Sequence, residues 1–209
     1  MRKLITEFIG TFFLVLVIGM VVTTGKGDFA PVAIGSVLMC MIFAGAHISG
    51  AHYNPAVTLA VLLRGRISIK EGIPYMIVQV IGAAAAACVV KFLAPDKIPL
   101  VASEMTSDLK SVIAEGLGTF ALAYVVLNVA TAKSTTGNMF YGLSIGFTVL
   151  SMAYAFGGIS GGAFNPAVAV GISIMHLALW SDYWIYFIGC FGGAAIAALV
   201  FRINNPLDK

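Results

Sequence analysis

The chain has 209 residues, 60% of them hydrophobic and only 10% charged. So little polar surface cannot coat a soluble globule, which excludes a water-soluble enzyme or scaffold and places the chain in a bilayer. Membrane topology accounts for the net charge of +3, so no basic surface for nucleic acid is required.

In chain order, apolar stretches fall at about 4–24, 31–46, 75–92, 109–131, 139–157 and 183–201. Several approach the ~20 residues that cross ~30 Å of hydrocarbon at ~1.5 Å per residue, which predicts six spanning helices. The first is too long for a signal peptide and lacks a well-placed small-residue cleavage site, so it is expected to remain as a spanning helix. It carries Glu7, and the fourth carries Glu115. After the second stretch comes His47 to His52, then Asn54-Pro55-Ala56 and a short apolar run from Val57 to Leu63. The third contains Gly82 to Ala87, small residues suited to close helix packing. A polar segment, Ala94 to Pro99 and Ser103 to Asp108, reads as a loop outside the membrane. After the fifth stretch, Gly158 to Phe164 leads into Asn165-Pro166-Ala167 and a second short run from Val168 to about His176. Trp180, Tyr183, Trp184 and Tyr186 then cluster at one end of the last stretch, as interfacial anchors do.

The chain repeats itself. At an offset of 108, Glu7, Gly10, Thr11 and Phe12 match Glu115, Gly118, Thr119 and Phe120; at 111, Ile48-Ser49-Gly50 and Asn54 to Val57 match Ile159-Ser160-Gly161 and Asn165 to Val168. Three helices per repeat is an odd number, so the second copy enters from the opposite side of the membrane, giving an inverted repeat. The reading is one channel domain over 1–209: repeat one about 1–93, a connecting loop about 94–108, and repeat two about 109–209. With the N-terminus cytoplasmic, eight Lys and Arg, from Arg2 and Lys3 to Arg202 and Lys209, fall inside, against Lys26, Lys91, Lys97 and Lys110 outside. Both termini are therefore expected in the cytoplasm, and the short loops suggest a prokaryotic inner membrane.

The runs after the two motifs are too short to span. Some ten helical residues cover about 15 Å, half the hydrocarbon. Asn is a favoured N-cap and Pro is tolerated at the first helical position, so Asn54 with Pro55 and Ala56, and Asn165 with Pro166 and Ala167, read as the starts of two re-entrant half-helices. The segments before them read as non-helical arms, tolerated at membrane depth only where they border a cavity. Two half-helices meeting tip to tip present partial positive charge at the midplane, which opposes cations, and the Asn54 and Asn165 amides can donate to a passing oxygen.

These residues resemble the signatures of the aquaporin and glycerol-facilitator family: Glu7 to Phe12, His47 to Thr58, and Ser160 to Ala167. The resemblance covers essentially the whole chain. It implies an all-α membrane protein, six transmembrane helices plus two half-helices in a right-handed bundle, assembled as a homotetramer with one pore per subunit. It also implies passive conduction of water or small neutral solutes, and no cofactor.

One departure concerns selectivity. Most members carry an arginine directly after the second motif, where this chain has Val168. Counting from the motifs, the other constriction positions fall on Ile34, Ala153 and Gly162. Such a ring has no charge and little bulk, so the expected solutes include polyols or metalloid hydroxides as well as water. Alternatively Lys26 or Lys110 folds over the mouth and replaces the charge, or the apolar ring passes water only or is nearly closed.

Glu7 and Glu115 read as supports that accept hydrogen bonds from arm N–H groups, with proton coupling as the other reading. His47 and His52 read as ties between the first arm and neighbouring helices, or as a pH response. Cys40, Cys88 and Cys190 read as buried small residues, without metal spacing. The rival functions are an ion-coupled transporter and a purely structural membrane protein.

Overall fold

A computed structural model describes residues 1–25, 27–99 and 107–208. Part of the expected inter-repeat loop, 100–106, and both Lys26 and Lys209 lie outside the described residues. Eight α-helices follow in order: α1 Arg2–Thr23, α2 Ala30–Ser49, α3 Pro55–Leu63, α4 Ile69–Leu93, α5 Asp108–Val126, α6 Tyr141–Ser160, α7 Pro166–Ile174 and α8 Tyr183–Asn204. α5 continues as a π turn, Leu127–Thr131. The other six α-helices besides α3 and α7 are long and apolar enough to cross a membrane. α3 and α7 have 9 residues each, about 14 Å at ~1.5 Å per residue.

The arms are shorter than the sequence suggested. α2 runs through His47, Ile48 and Ser49, and α6 through Ile159 and Ser160. Each ends where a glycine adopts the left-handed conformation, Gly50 at φ 89° and Gly161 at φ 85°, the usual helix stop for a residue without Cβ. The arms proper are residues 50–53 and 161–164.

Small residues set the helix crossings. A Cβ on Gly35 would lie 2.6 Å from the Gly146 carbonyl oxygen, and one on Gly146 would lie 2.5 Å from that of Gly35. α2 and α6 thus cross at a reciprocal glycine pair, as a two-fold relation between repeats requires. The same correspondence recurs where Gly82 of α4 abuts the Phe8 carbonyl of α1 and Gly193 of α8 abuts the Gly116 carbonyl of α5.

The outer surface is apolar, with Ile5, Ile9 and Phe13 of α1 and Ile73, Ile77 and Ile81 of α4 all exposed. The interior holds Glu7, Gln79 and Glu115, fully buried. Such an inverted distribution suits a hydrocarbon surround. Cys40 and Cys88 are exposed, contrary to expectation, because each sits on an outward face of its helix; only Cys190 is buried.

Candidate functional site

The half-helices α3 and α7 meet at their N-termini. Asn54 caps α3, its Oδ1 accepting from the N–H of Ala56 at 2.8 Å and of Val57 at 3.4 Å. Asn165 does the same for α7, with Ala167 at 2.9 Å and Val168 at 3.4 Å. Each amide then reaches across the junction: Asn54 Nδ2 donates to the Phe164 carbonyl at 2.8 Å and Asn165 Nδ2 to the Tyr53 carbonyl at 2.9 Å. An NH₂ group has two N–H donors. One locks the opposite arm, and the other is free, since both Asn residues line the lumen beside the junction.

The arms are held in a costly backbone. Ala51, Tyr53 and Phe164 have φ of 53°, 50° and 48°, a left-handed conformation that costs about 1 kcal/mol or more for a residue with a side chain. Buried carboxylates stabilise it. Glu7 accepts from Ser49 Oγ at 2.6 Å, the His52 N–H at 3.0 Å, the Tyr53 N–H at 2.7 Å and Gln79 Nε2 at 2.8 Å. Glu115 accepts from Ser160 Oγ at 2.6 Å, the Ala163 N–H at 3.0 Å and the Phe164 N–H at 2.6 Å, with Cys190 Sγ at 3.6 Å. Tyr75 and Tyr186 hydroxyls donate to the Ser49 and Ser160 carbonyls, both at 2.9 Å. With the arm N–H groups turned to the carboxylates, the carbonyls of residues 50–52 and 161–163 accept no hydrogen bond from any described residue.

His52 and His47 part company. His52 is buried, its Nδ1 3.1 Å from Thr58 Oγ1 and its ring edge-on to Tyr75. His47 is exposed on the outward face of α2, and among the described residues it makes no hydrogen bond to the arm. The expected supporting role of His47 is therefore corrected: helix α2 continues past it, and the helical phase turns it outward.

Beside the junction runs a lumen of about 580 Å³, bordered at His52 and Val126 by a smaller vestibule of about 190 Å³. One wall is the arms and the Asn pair. Much of the remaining lining is aliphatic, including Leu14, Ile18, Leu38 and Ile172. Ile34, Ala153, Gly162 and Val168 all line the lumen, as do Asp28 and Tyr154. Lys110, on the exposed start of α5, does not line it, while Lys26 is outside the described residues. Among the described residues no group of three His, Cys, Asp or Glu could hold a metal ion.

Sequence reading gave no role to Gln79, Thr58 and Tyr75, and it took Tyr186 for an interfacial anchor, whereas Tyr186 is buried and its hydroxyl holds the Ser160 carbonyl. The tyrosines were detectable, because they sit at the same 111 offset that relates the motifs. It also missed a latch at the C-terminal end of α3. Arg64, at the C-terminus of α3, lies 4.7 Å from the centre of the Phe201 ring and donates to Asp208 at 2.7 Å. Arg66 reaches the same carboxylate at 3.3 Å, and the Lys133 backbone N–H at 2.8 Å.

Residues 1–201 match the family described as Major intrinsic protein. The chain is 36% identical over 218 residues to aquaporin NIP1-3 of Oryza sativa subsp. japonica, covering all of this chain and 75% of the relative. It is 34% identical over 222 residues to glycerol uptake facilitator protein-like 6 of Lactiplantibacillus plantarum, covering both in full. Its fold is similar to the X-ray structure of the aquaglyceroporin from Plasmodium falciparum, with a TM-score of 0.82 at 24% identity, over 99% of this chain and 97% of that one.

Proposed function

The chain belongs to the major intrinsic protein family, and from that premise we propose a passive membrane channel for water and small neutral solutes, polyols or metalloid hydroxides among them. It is not an enzyme. The observation that carries the reading is the reciprocal bonding of Asn54 and Asn165 at a junction that borders the lumen. A solute oxygen there meets the free Asn N–H groups, and the unpartnered arm carbonyls offer acceptors on either side. Each half-helix end contributes about half a positive charge, which repels cations and breaks a proton-conducting water file, as is established for aquaporin-type pores.

An aliphatic lining together with a row of acceptors suits molecules with a hydrocarbon side and a hydroxyl side. The ring of Ile34, Ala153, Gly162 and Val168 offers no fixed charge and few side-chain atoms, which favours solutes larger than water. Glu7, Glu115 and His52 hold the arms in this reading. The functional unit spans the whole chain, two repeats joined by one loop, and assembles as a homotetramer in lipid. Both termini lie in the cytoplasm of a prokaryotic inner membrane; the gathering of Arg64, Arg66, Arg202 and the Lys133 backbone at one end supports that orientation.

Stopped-flow permeability of proteoliposomes to water, glycerol, urea and boric acid tests the reading. Water and glycerol fluxes should exceed empty liposomes and ignore ion gradients. Val168→Arg, which places a guanidinium in a lumen position, should lose glycerol before water. Flux that followed an ion gradient would overturn the channel in favour of a coupled transporter.

A further inference from the structure

The inverted repeat gives the lumen residues counterparts in the other half, and the two halves are furnished unequally. At the 111 offset, Ile34, Ala153, Gly162 and Val168 of the outer ring correspond to Ile145, Ile42, Ala51 and Val57. All of these line the same lumen. Where the outer half has Ala153, Gly162 and Ala163, the inner half has Ile42, Ala51 and His52. Each of these three exchanges adds side chain on the inner side, while the Ile34–Ile145 and Val168–Val57 pairs are equal and Val126 corresponds, at the 108 offset, to the larger Ile18. The outer half is opened further by Gly157 and Gly158, which line the lumen and where a Cβ would meet nothing within 4 Å.

Toward the inner side, the lumen and the vestibule share two bordering residues, His52 and Val126. Neither is free to swing aside. The His52 ring is held by Thr58 and Tyr75, and its backbone N–H by Glu7. Val126 closes α5 immediately before the π turn, a feature that often marks functional positions. Side chains secure that turn, with Thr131 Oγ1 donating to the Leu127 carbonyl at 2.6 Å and Asn138 Nδ2 to the Val129 carbonyl at 2.7 Å. The turn fixes the angle at which Val126 is presented.

We propose that this inner neck, made by Val126 and the His52 ring, sets the size limit for permeant solutes. The outer ring admits what the neck then sorts. A slender solute slides past along the aliphatic lining and the arm carbonyls, and a branched one of the same polarity stops at the isopropyl group and the imidazole. The inference rests on the channel reading above.

The test is the permeability of proteoliposomes to water, urea, glycerol and the branched polyol pentaerythritol. Val126→Ala removes two methylene equivalents, each worth about tenfold or more in discrimination, and should raise the pentaerythritol-to-water ratio at least about tenfold. His52→Ala, which keeps the backbone bonds to Glu7, should shift it in the same direction. Val126→Phe should block glycerol while water still passes. Val168→Ala should move the ratio less than Val126→Ala. An unchanged ratio in both Val126→Ala and His52→Ala, or an equal shift from Val168→Ala, would overturn the neck. Wild-type water flux equal to empty liposomes would instead sink the channel reading, and the inference with it.

Discussion

Replacing Glu7 by Gln tests what holds the first arm. Oε1 receives Ser49 Oγ and the His52 N–H, and Oε2 receives the Tyr53 N–H and Gln79 Nε2. Glutamine keeps one acceptor oxygen and puts an NH₂ where the other stood. If the NH₂ takes the first site, Ser49 can rotate to accept from it, but the His52 N–H cannot. If it takes the second, Gln79 can flip only by giving up its Nε2 bond to Thr58 Oγ1, and the Tyr53 N–H is still stranded. Either way one buried backbone N–H is orphaned, at about 1–3 kcal/mol, and a charge-assisted bond of about 1.5–3 kcal/mol is lost. The sum, about 2.5–6 kcal/mol, is a large share of a typical folding free energy. It falls on an arm already held at a left-handed Tyr53, so that arm should relax and water permeability drop. Equilibrium unfolding in mixed micelles, alongside stopped-flow water flux, reads both. Stability within about 0.5 kcal/mol of wild type, the scatter of neutral surface changes, would refute the argument. So would a stable variant that had lost a proton-driven flux.

Asn54→Asp keeps the cap acceptor but loses the Nδ2 bond to Phe164 and puts negative charge at the midplane; proteoliposomes should then leak cations, measured by a potential-sensitive dye, while water flux persists. The Lys133 backbone N–H, with Arg64 and Arg66, holds the Asp208 carboxyl below the ordinary aspartate value. A depressed value means stability that is present above about pH 4 and lost as the pH falls through it. Asp208→Asn should therefore melt below wild type at neutral pH, with the gap closing near pH 3, as followed by thermal unfolding in detergent. Gly193→Ala drives a methyl into the Gly116 carbonyl at the α5–α8 crossing and should cost about 1–3 kcal/mol, the range for overpacking, whereas Gly192→Ala, facing open space, should cost little.

Much of the fold was legible because its signals are local or repeated. Asn165-Pro166 starts a helix by cap chemistry alone, and a following apolar run of nine residues cannot span whatever surrounds it. The 108 and 111 offsets imposed an inverted repeat before any contact was known. The arm boundaries were not legible, since His47-Ile48-Ser49 is as compatible with helix as with loop until Gly50 is seen to be left-handed. The orientation of His47 was lost for the same reason: a residue's face depends on where its helix stops. Gln79 was hidden because nothing local marks a polar residue in an apolar helix as the partner of a carboxylate 72 positions away. The π turn that presents Val126 was equally invisible, its carbonyls being satisfied by Thr135 and Asn138 from beyond the helix.

Sequence alone determined that the chain lives in lipid, that its halves oppose each other, and that two capped half-helices begin at Asn54 and Asn165. These follow from composition, periodicity and backbone donors that must be satisfied within reach. Only the tertiary structure decided which side chains share the lumen wall, that each Asn amide bonds the other repeat's arm, and that His52 and Val126 border both cavities. The reason is distance along the chain: such meetings depend on the helical phase and tilt of several packed elements at once, and no local stretch of residues carries that information.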